Sequence, residues 1–182
     1  MDNSDTFKPV SNNVEYSSTY SMPEEYATTS TAILYRVRKS GKYFIIKTPK
    51  EDTGENIALL QREYELSIGK SHTNIVNIFT YETKSIVGPG IVMEYIDGRT
   101  LTEFIAENPS AEARKRVFKQ LLQAVAYIHR SGLVHNDIKP DNIMITRSGN
   151  DVKLIDFGLA DNDAYYLART IGCTKAYASP EL

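Results

Sequence analysis

The stretch Val134-His135-Asn136-Asp137-Ile138-Lys139-Pro140-Asp141-Asn142 packs a histidine, two aspartates, a lysine and two asparagines between two apolar runs. Just beyond it, NIMITRSGNDVKLIDFG reads as two short strands around a Ser148-Gly149-Asn150 turn. Asp137 and Asn142 precede the first strand and Asp156 follows the second. A hairpin brings its two ends together, so two carboxylates and an amide converge. Such an oxygen-rich site suits a hard cation such as Mg²⁺, which keeps waters and takes carboxylate and phosphate oxygens. Lys139, lying between them, could neutralise charge on a phosphoryl group in transit. For any one of these residues the alternative is a polar turn whose side chains cap strand ends, because Asp and Asn are common turn residues.

The elements on either side have two different periods. Upstream of the cluster, Ser110 caps a long helix, AEARKRVFKQLLQAVAYIHRSG. It carries Val117, Leu121, Ala124, Val125 and Ile128 on one face, and Gly132 closes it. TLTEFIAEN before it is a short helix. The first half of the chain is strand-led: AILYRV and KYFIIK form a hairpin joined through Gly41 and ending at Lys47. ENIALLQREYELSIGK follows as an amphipathic helix with Gly69 as its stop, and NIVNIFTYET and GIVMEYI add two more strands. Residues 1–22, rich in Ser, Asn, Thr and Asp, read as a flexible arm.

The chain has 182 residues, 41% apolar and 24% charged, enough for one soluble unit with a real core. A net charge of −2 and a pI near 5.9, with no basic stripe, argue against nucleic acid or an anionic membrane as a partner. Cys173, the single cysteine, cannot form an internal disulfide, and no apolar run reaches the length of a membrane helix. The start MDNSDTFKPV lacks the order of a secretory signal, so the expected location is cytoplasmic.

Taken in order along the chain, these motifs resemble the eukaryotic-type protein kinase family. His135 to Asn142 is similar to the catalytic loop, Asp156-Phe157-Gly158 to the magnesium-binding triplet, and Ser179-Pro180-Glu181 to the element that ends the activation segment. Ile45-Ile46-Lys47 resembles the third-strand lysine motif, and Glu63 falls where the family places its helix glutamate, with Glu65 as the fallback. Lys139-Pro140 resembles the serine/threonine-specific branch. The resemblance implies an α+β, bilobal fold: a small antiparallel sheet lobe with one helix over residues 23–96, and a shortened, mainly helical lobe over 97–182.

The implied activity is an ATP-dependent protein serine/threonine kinase that transfers the γ-phosphate to a protein hydroxyl. In that scheme Asp137 orients or deprotonates the hydroxyl, Lys139 assists at the moving phosphate, and Asn142 and Asp156 hold Mg²⁺ against the nucleotide. Lys47 contacts the α- and β-phosphates and pairs with Glu63. Glu94, Tyr95 and Ile96 form the hinge whose backbone binds adenine, and Met93 guards the pocket behind it. The alternative is a pseudokinase-like binding module that holds nucleotide and regulates a partner. A small-molecule kinase of the aminoglycoside or choline type shares the two aspartates and the asparagine, but Lys139-Pro140, Asp156-Phe157-Gly158 and Ser179-Pro180-Glu181 argue against it.

Three departures from the family pattern carry expectations. The segment Ala27-Thr28-Thr29-Ser30-Thr31-Ala32 stands where a glycine-rich loop belongs and contains no glycine. Its small side chains still allow the backbone near the phosphates, but glycine's freedom at positive φ is lost, so weakened ATP binding is expected, with nucleotide held mainly by Lys47 and the metal if this strand pair is built differently. Asn136 replaces the arginine that pairs with a phosphorylated activation loop, so Tyr165, Tyr166, Thr170 and Thr174 are not expected to switch activity by that pairing. The sequence ends at Leu182, directly after Ser179-Pro180-Glu181. The expectation is a fragment or a shortened protein that exposes the Phe118/Leu122/Ile128 side of the long helix to self-association or a docking partner.

Overall fold

A computed structural model of the chain describes residues 20, 21, 23–160 and 177. Ser17, Ser18 and the rest of the expected arm up to residue 19, together with Cys173, Tyr165, Tyr166, Thr170, Thr174 and Ser179-Pro180-Glu181, lie outside the described residues.

Five strands form the larger sheet: β1 (Glu24–Thr28), β2 (Ala32–Lys39), β3 (Lys42–Pro49), β4 (Ile78–Ser85) and β5 (Gly88–Glu94). Their order is β1-β2-β3-β5-β4, with every neighbour antiparallel. The β2–β3 turn is the one expected through Gly41. Ser40 and Gly41 have φ of 49° and 80°, the left-handed pair that matches the twist of a tight hairpin. Helix α1 (Gly54–Ser67) follows β3, with the Thr53 side chain accepting from the Asn56 amide at its start and Gly69 at φ 76° just past its end.

The smaller sheet holds β6 (Gly98–Thr100), β7 (Ile143–Thr146) and β8 (Val152–Leu154) in that order. Helix α2 (Leu101–Ala106) opens on a reciprocal cap between Thr100 and Glu103, and α3 (Ala111–Arg130) opens on Ser110 as expected. Among the described residues no helix is long and apolar enough to cross a membrane.

One hydrophobic cluster ties the two sheets together. Ile45, Ile91 and Met93 of the large sheet join Ile143, Ile145, Val152 and Leu154 of the small one, with Phe104, Val117, Ala124 and Ile128 from the helices. The α1–β4 connection is its bridge. Asn74 to Val76 was expected to begin a strand of NIVNIFTYET, but β4 starts only at Ile78. Instead the Leu154 amide donates to the Asn74 carbonyl (2.8 Å) and the Val76 amide to the Leu154 carbonyl (3.0 Å). Burial of Ile75 and Val76 against β8 wins over continuation of the strand.

Three further differences follow. Glu24–Thr28 and Gly98–Thr100 pair as strands although neither was read as one: the first is exposed throughout, and the second is three residues long. Ile128, placed by sequence on an exposed apolar side of α3, is 1% exposed, whereas Phe118 and Leu122 are 62% and 52% exposed. Ile128 belongs to the core-facing stripe with Val117 and Ala124, and Phe118 and Leu122 lie about a third of a turn away from it. Tyr20 and Ser21, inside the expected arm, bond to the large sheet. Ser21 exchanges hydrogen bonds with the Arg38 backbone, and the Tyr20 hydroxyl donates to Glu82 at 3.0 Å.

Candidate active site

The candidate residues come from four places in the chain. Lys47 sits in β3, Glu63 in α1, Asp137 to Asn142 in the connection from α3 to β7, and Asp156 just after β8. The β7–β8 pairing of Ile143 with Leu154, extended by the Ile155 amide donating to the Asn142 carbonyl at 2.9 Å, draws the last two groups together. The expected hairpin convergence therefore has a specific register.

Lys47 is the hub. Its ammonium donates to both Glu63 oxygens, at 2.7 and 2.8 Å, and to Asp156 Oδ1 at 2.7 Å. Glu63 is buried at 7% exposure, while Glu65, its fallback by spacing, is exposed and accepts a bond from Gln61. Burial disfavours the Lys47 charge, but the Glu63 and Asp156 carboxylates outweigh it and hold the ammonium above the usual lysine range. Burial also pushes Asp156 up, and the Lys47 charge more than reverses this, holding Asp156 below the usual carboxylate range. At Glu63 burial prevails over Lys47, and its carboxyl is raised. One ammonium serves two carboxylates, and the outer one keeps the firmer charge.

Asp137 anchors the second group. Asn142 Nδ2 donates to the Asp137 carbonyl at 2.9 Å and to its Oδ2 at 2.8 Å, and Lys139 Nζ reaches the same Oδ2 at 2.7 Å. Both Asp137 and Asn142 are buried. Pro140–Asn142 forms a single 3₁₀ turn whose Asn142 amide donates to the Lys139 carbonyl, which explains why the five-residue spacing folds Asn142 back onto Asp137. The polar-turn alternative thus describes the local backbone but not the outcome: these side chains bond one another rather than cap strand ends.

His135, quoted in the motif without a role, is a brace. It is 1% exposed, packs on the Phe157 ring at a centroid distance of 5.0 Å, and accepts the Asp137 amide at Nδ1 (3.4 Å). That leaves Nε2 to donate to the Ile155 carbonyl at 3.1 Å. Burial lowers its pKa, so the ring is neutral. Asn136, the unusual letter of the loop, has φ 62° and donates from Nδ2 to the Leu159 carbonyl at 3.0 Å. Asparagine tolerates that left-handed backbone better than most side chains. It fastens the loop to the chain just past Gly158. Asp156 is left-handed as well, at φ 66°, and its Oδ1 accepts the Gly158 amide at 3.3 Å. The site's strained backbone is concentrated at these two residues.

Glu94 and Ile96 stand apart from this cluster. The Glu94 carboxylate takes Lys153 Nζ at 2.9 Å and the Asn77 backbone and side-chain nitrogens, each at 3.1 Å, so it links the large sheet to β8. Ile96 and Met93 are buried in the main core, and Val92 is buried in a second cluster with Val37 and Ile46. Among the described residues no three His, Cys, Asp or Glu side chains gather to hold a metal.

The profile of a family described as protein kinase domain matches residues 28–182. The chain belongs to the protein kinase family. The kinase fold accounts for the antiparallel sheet with its single helix and for the helical remainder. A probable serine/threonine-protein kinase of Clostridium acetobutylicum is 33% identical over 151 residues, 79% of this chain and 23% of that protein. Calcium/calmodulin-dependent protein kinase type IV of Homo sapiens is 30% identical over 180 residues, 94% of this chain and 37% of that protein. NUAK family SNF1-like kinase 2 of Rattus norvegicus is 33% identical over 151 residues, again 23% of the relative. The chain therefore spans between 23% and 37% of the length of these curated relatives. Protein kinases in general use ATP and Mg²⁺.

Proposed function

We propose that the chain carries the nucleotide-binding and catalytic residues of a protein serine/threonine kinase that moves the γ-phosphate of ATP to a protein hydroxyl. The observation that carries this reading is Lys47 held between Glu63 and Asp156, with Asp137 and Asn142 bonded to each other at the mouth of the β7–β8 hairpin. Three acidic groups, an amide and a buried lysine on four separate segments have no need to meet for folding alone.

The donor set fits a hard cation. Both Asn142 amide hydrogens point to Asp137, which turns the amide oxygen the other way, and Asp156 is a partly exposed carboxylate. An amide oxygen and one carboxylate are too few to cage the ion, so phosphate oxygens and waters would complete its shell. Bound there, Mg²⁺ supplies neutralisation of charge on those oxygens. Lys47 binds the α- and β-phosphates, and Glu63 keeps its ammonium aimed. Asp137 orients the acceptor hydroxyl and takes its proton as the oxygen bonds to the γ-phosphorus and the bond to ADP breaks. Lys139, 2.7 Å from Asp137 Oδ2, places a positive charge beside the phosphoryl group in transit. Adenine lies along the backbone at Glu94 and Ile96, since the Glu94 side chain is engaged elsewhere.

The cytoplasm is the proposed location. Self-association through the exposed Phe118 and Leu122 is the proposed mode of assembly, and sedimentation of the chain beside the double Phe118→Ser/Leu122→Ser variant tests it. For the activity, transfer of labelled phosphate from ATP to itself or to a generic protein, lost in Asp137→Ala, is the expected result. Nucleotide binding without any transfer would sink the enzyme and favour the pseudokinase-like module.

A further inference from the structure

The β1–β2 turn does not take the form that glycine would give it. Neither Ser30 nor Thr31 has positive φ, so the two-residue loop is not one of the mirror-image turns that glycine favours in a tight hairpin. A side chain closes it instead. The Ala32 amide donates to Thr29 Oγ1 at 3.0 Å, where an ordinary hairpin would use the Thr29 carbonyl. The same hydroxyl donates to the Ala32 carbonyl at 3.2 Å and receives the Thr31 amide at a long 3.4 Å. The Thr29 amide completes the ring by donating to the Ala32 carbonyl at 2.8 Å.

Of the four amides from Thr29 to Ala32, three are therefore used within the turn, and the Ser30 amide alone makes no such bond. Outside the turn, the Thr28 hydroxyl donates to Glu25 at 2.7 Å, and the Thr31 carbonyl accepts the Lys50 amide at 2.9 Å. Leu34 stands opposite Lys47 in the β2–β3 register. The turn thus begins roughly 10 Å of strand beyond the lysine proposed to meet the nucleotide phosphates.

We propose that the Thr29 hydroxyl latches the β1–β2 turn onto itself and withholds its backbone amides from nucleotide phosphates, leaving their recognition to Lys47 and the Asn142/Asp156 pair. This rests on the reading of the site as a nucleotide site. Thr29 is a positioning residue: it acts through the amides it occupies. Phosphate can engage the turn only after the latch opens, and the free energy of opening is subtracted from nucleotide affinity. Removing the hydroxyl removes that cost while leaving the base site untouched.

The test compares MgATP and adenosine binding by calorimetry in the unaltered chain and in Thr29→Val, Thr29→Gly and Thr29→Ser. Thr29→Val and Thr29→Gly are expected to bind MgATP roughly three- to tenfold more tightly, the worth of one or two net hydrogen bonds, with adenosine changed less than about twofold. Thr29→Ser keeps the hydroxyl and should match the unaltered chain. Amide exchange gives a readout free of ligand: the Ala32 amide should be protected in the unaltered and Thr29→Ser chains and lose protection in Thr29→Val, while the core amides of Ile45 and Ile46 stay protected. Unchanged or weaker MgATP binding in both Thr29→Val and Thr29→Gly, or an equal gain for adenosine, overturns the latch and leaves the kinase reading standing. Absence of both MgATP and adenosine binding in the folded, unaltered chain overturns the nucleotide reading, and the latch with it.

Discussion

The Lys47 ammonium lies 2.7 Å from Asp156 Oδ1, although 109 residues of chain separate the two. The carboxylate proposed to hold Mg²⁺ is thus already occupied by a protein cation. In the proposed reading a lysine and a divalent ion compete for it, and nucleotide phosphates would resolve the competition by drawing Lys47 away. Mg²⁺ alone should bind weakly, and Lys47→Met should tighten it severalfold while weakening MgATP. Calorimetric titration of each, with and without nucleotide, measures both; tighter MgATP in Lys47→Met would contradict the arrangement. The same variant leaves Glu63 buried without its partner, which should cost about 3 kcal/mol in urea unfolding unless that carboxyl takes up a proton.

Asn142→Asp replaces two donated hydrogen bonds with a second carboxylate against Asp137 Oδ2. Like charges at that distance cannot both remain ionised at ordinary cost, so the Asp137 carboxyl should rise and its use as a base fall. Phosphotransfer at pH 7 is expected to drop by about a hundredfold or more. A measured rate within threefold of the unaltered chain would show that Asn142 does not support Asp137.

His135 gives the fold an acid sensitivity with a definite sign. Burial lowers its folded pKa below the ordinary 6.5, so between the two values the unfolded chain binds more protons. Its contribution is complete above pH 6.5 and is lost as pH falls from there toward the folded value. His135→Phe preserves ring packing on Phe157 but should flatten the slope of stability between pH 7 and 5. It should also lower stability at pH 7.5 by about 1 to 2 kcal/mol, since the Ile155 carbonyl and Asp137 amide lose their partner. Urea midpoints across that range decide it.

Gly158→Ala tests how closely the two ends of the site must approach. A Cβ there would come within 3.3 Å of Asp156 Oδ1 and 3.4 Å of Glu63 Oε2. Gly158 does not have positive φ, so alanine is compatible with the backbone and the effect should fall on the carboxylates. We expect an unfolding midpoint within about 0.5 kcal/mol of the unaltered chain and MgATP binding weakened severalfold. A large loss of stability with unchanged binding would place the role of this glycine in folding.

Local order fixed a good deal of this before any tertiary contact. The long helix was legible in Ser110, in the spacing of Val117, Ala124 and Ile128, and in Gly132, because capping and periodicity are properties of neighbours along the chain. The oxygen-rich convergence was legible for the same reason: Asn142 and Asp156 flank a hairpin whose turn and strands are short. By contrast, Glu24–Thr28 has no buried face to give it a period, and Asn74 to Val76 has strand composition but is claimed by β8.

Sequence by itself determined which residue types the site contains and the order in which they arrive. Spacing already favoured Glu63 over Glu65, but only tertiary structure shows the packing that buries the first beside Lys47 and leaves the second exposed. It also set the Thr29 hydroxyl against the Ala32 amide in the glycine-free segment. VHNDIKPDN could be read as a cluster because its partners are close in sequence; the Thr29 latch could not, because a hydroxyl closes a turn only when the backbone has already brought Ala32 back to it.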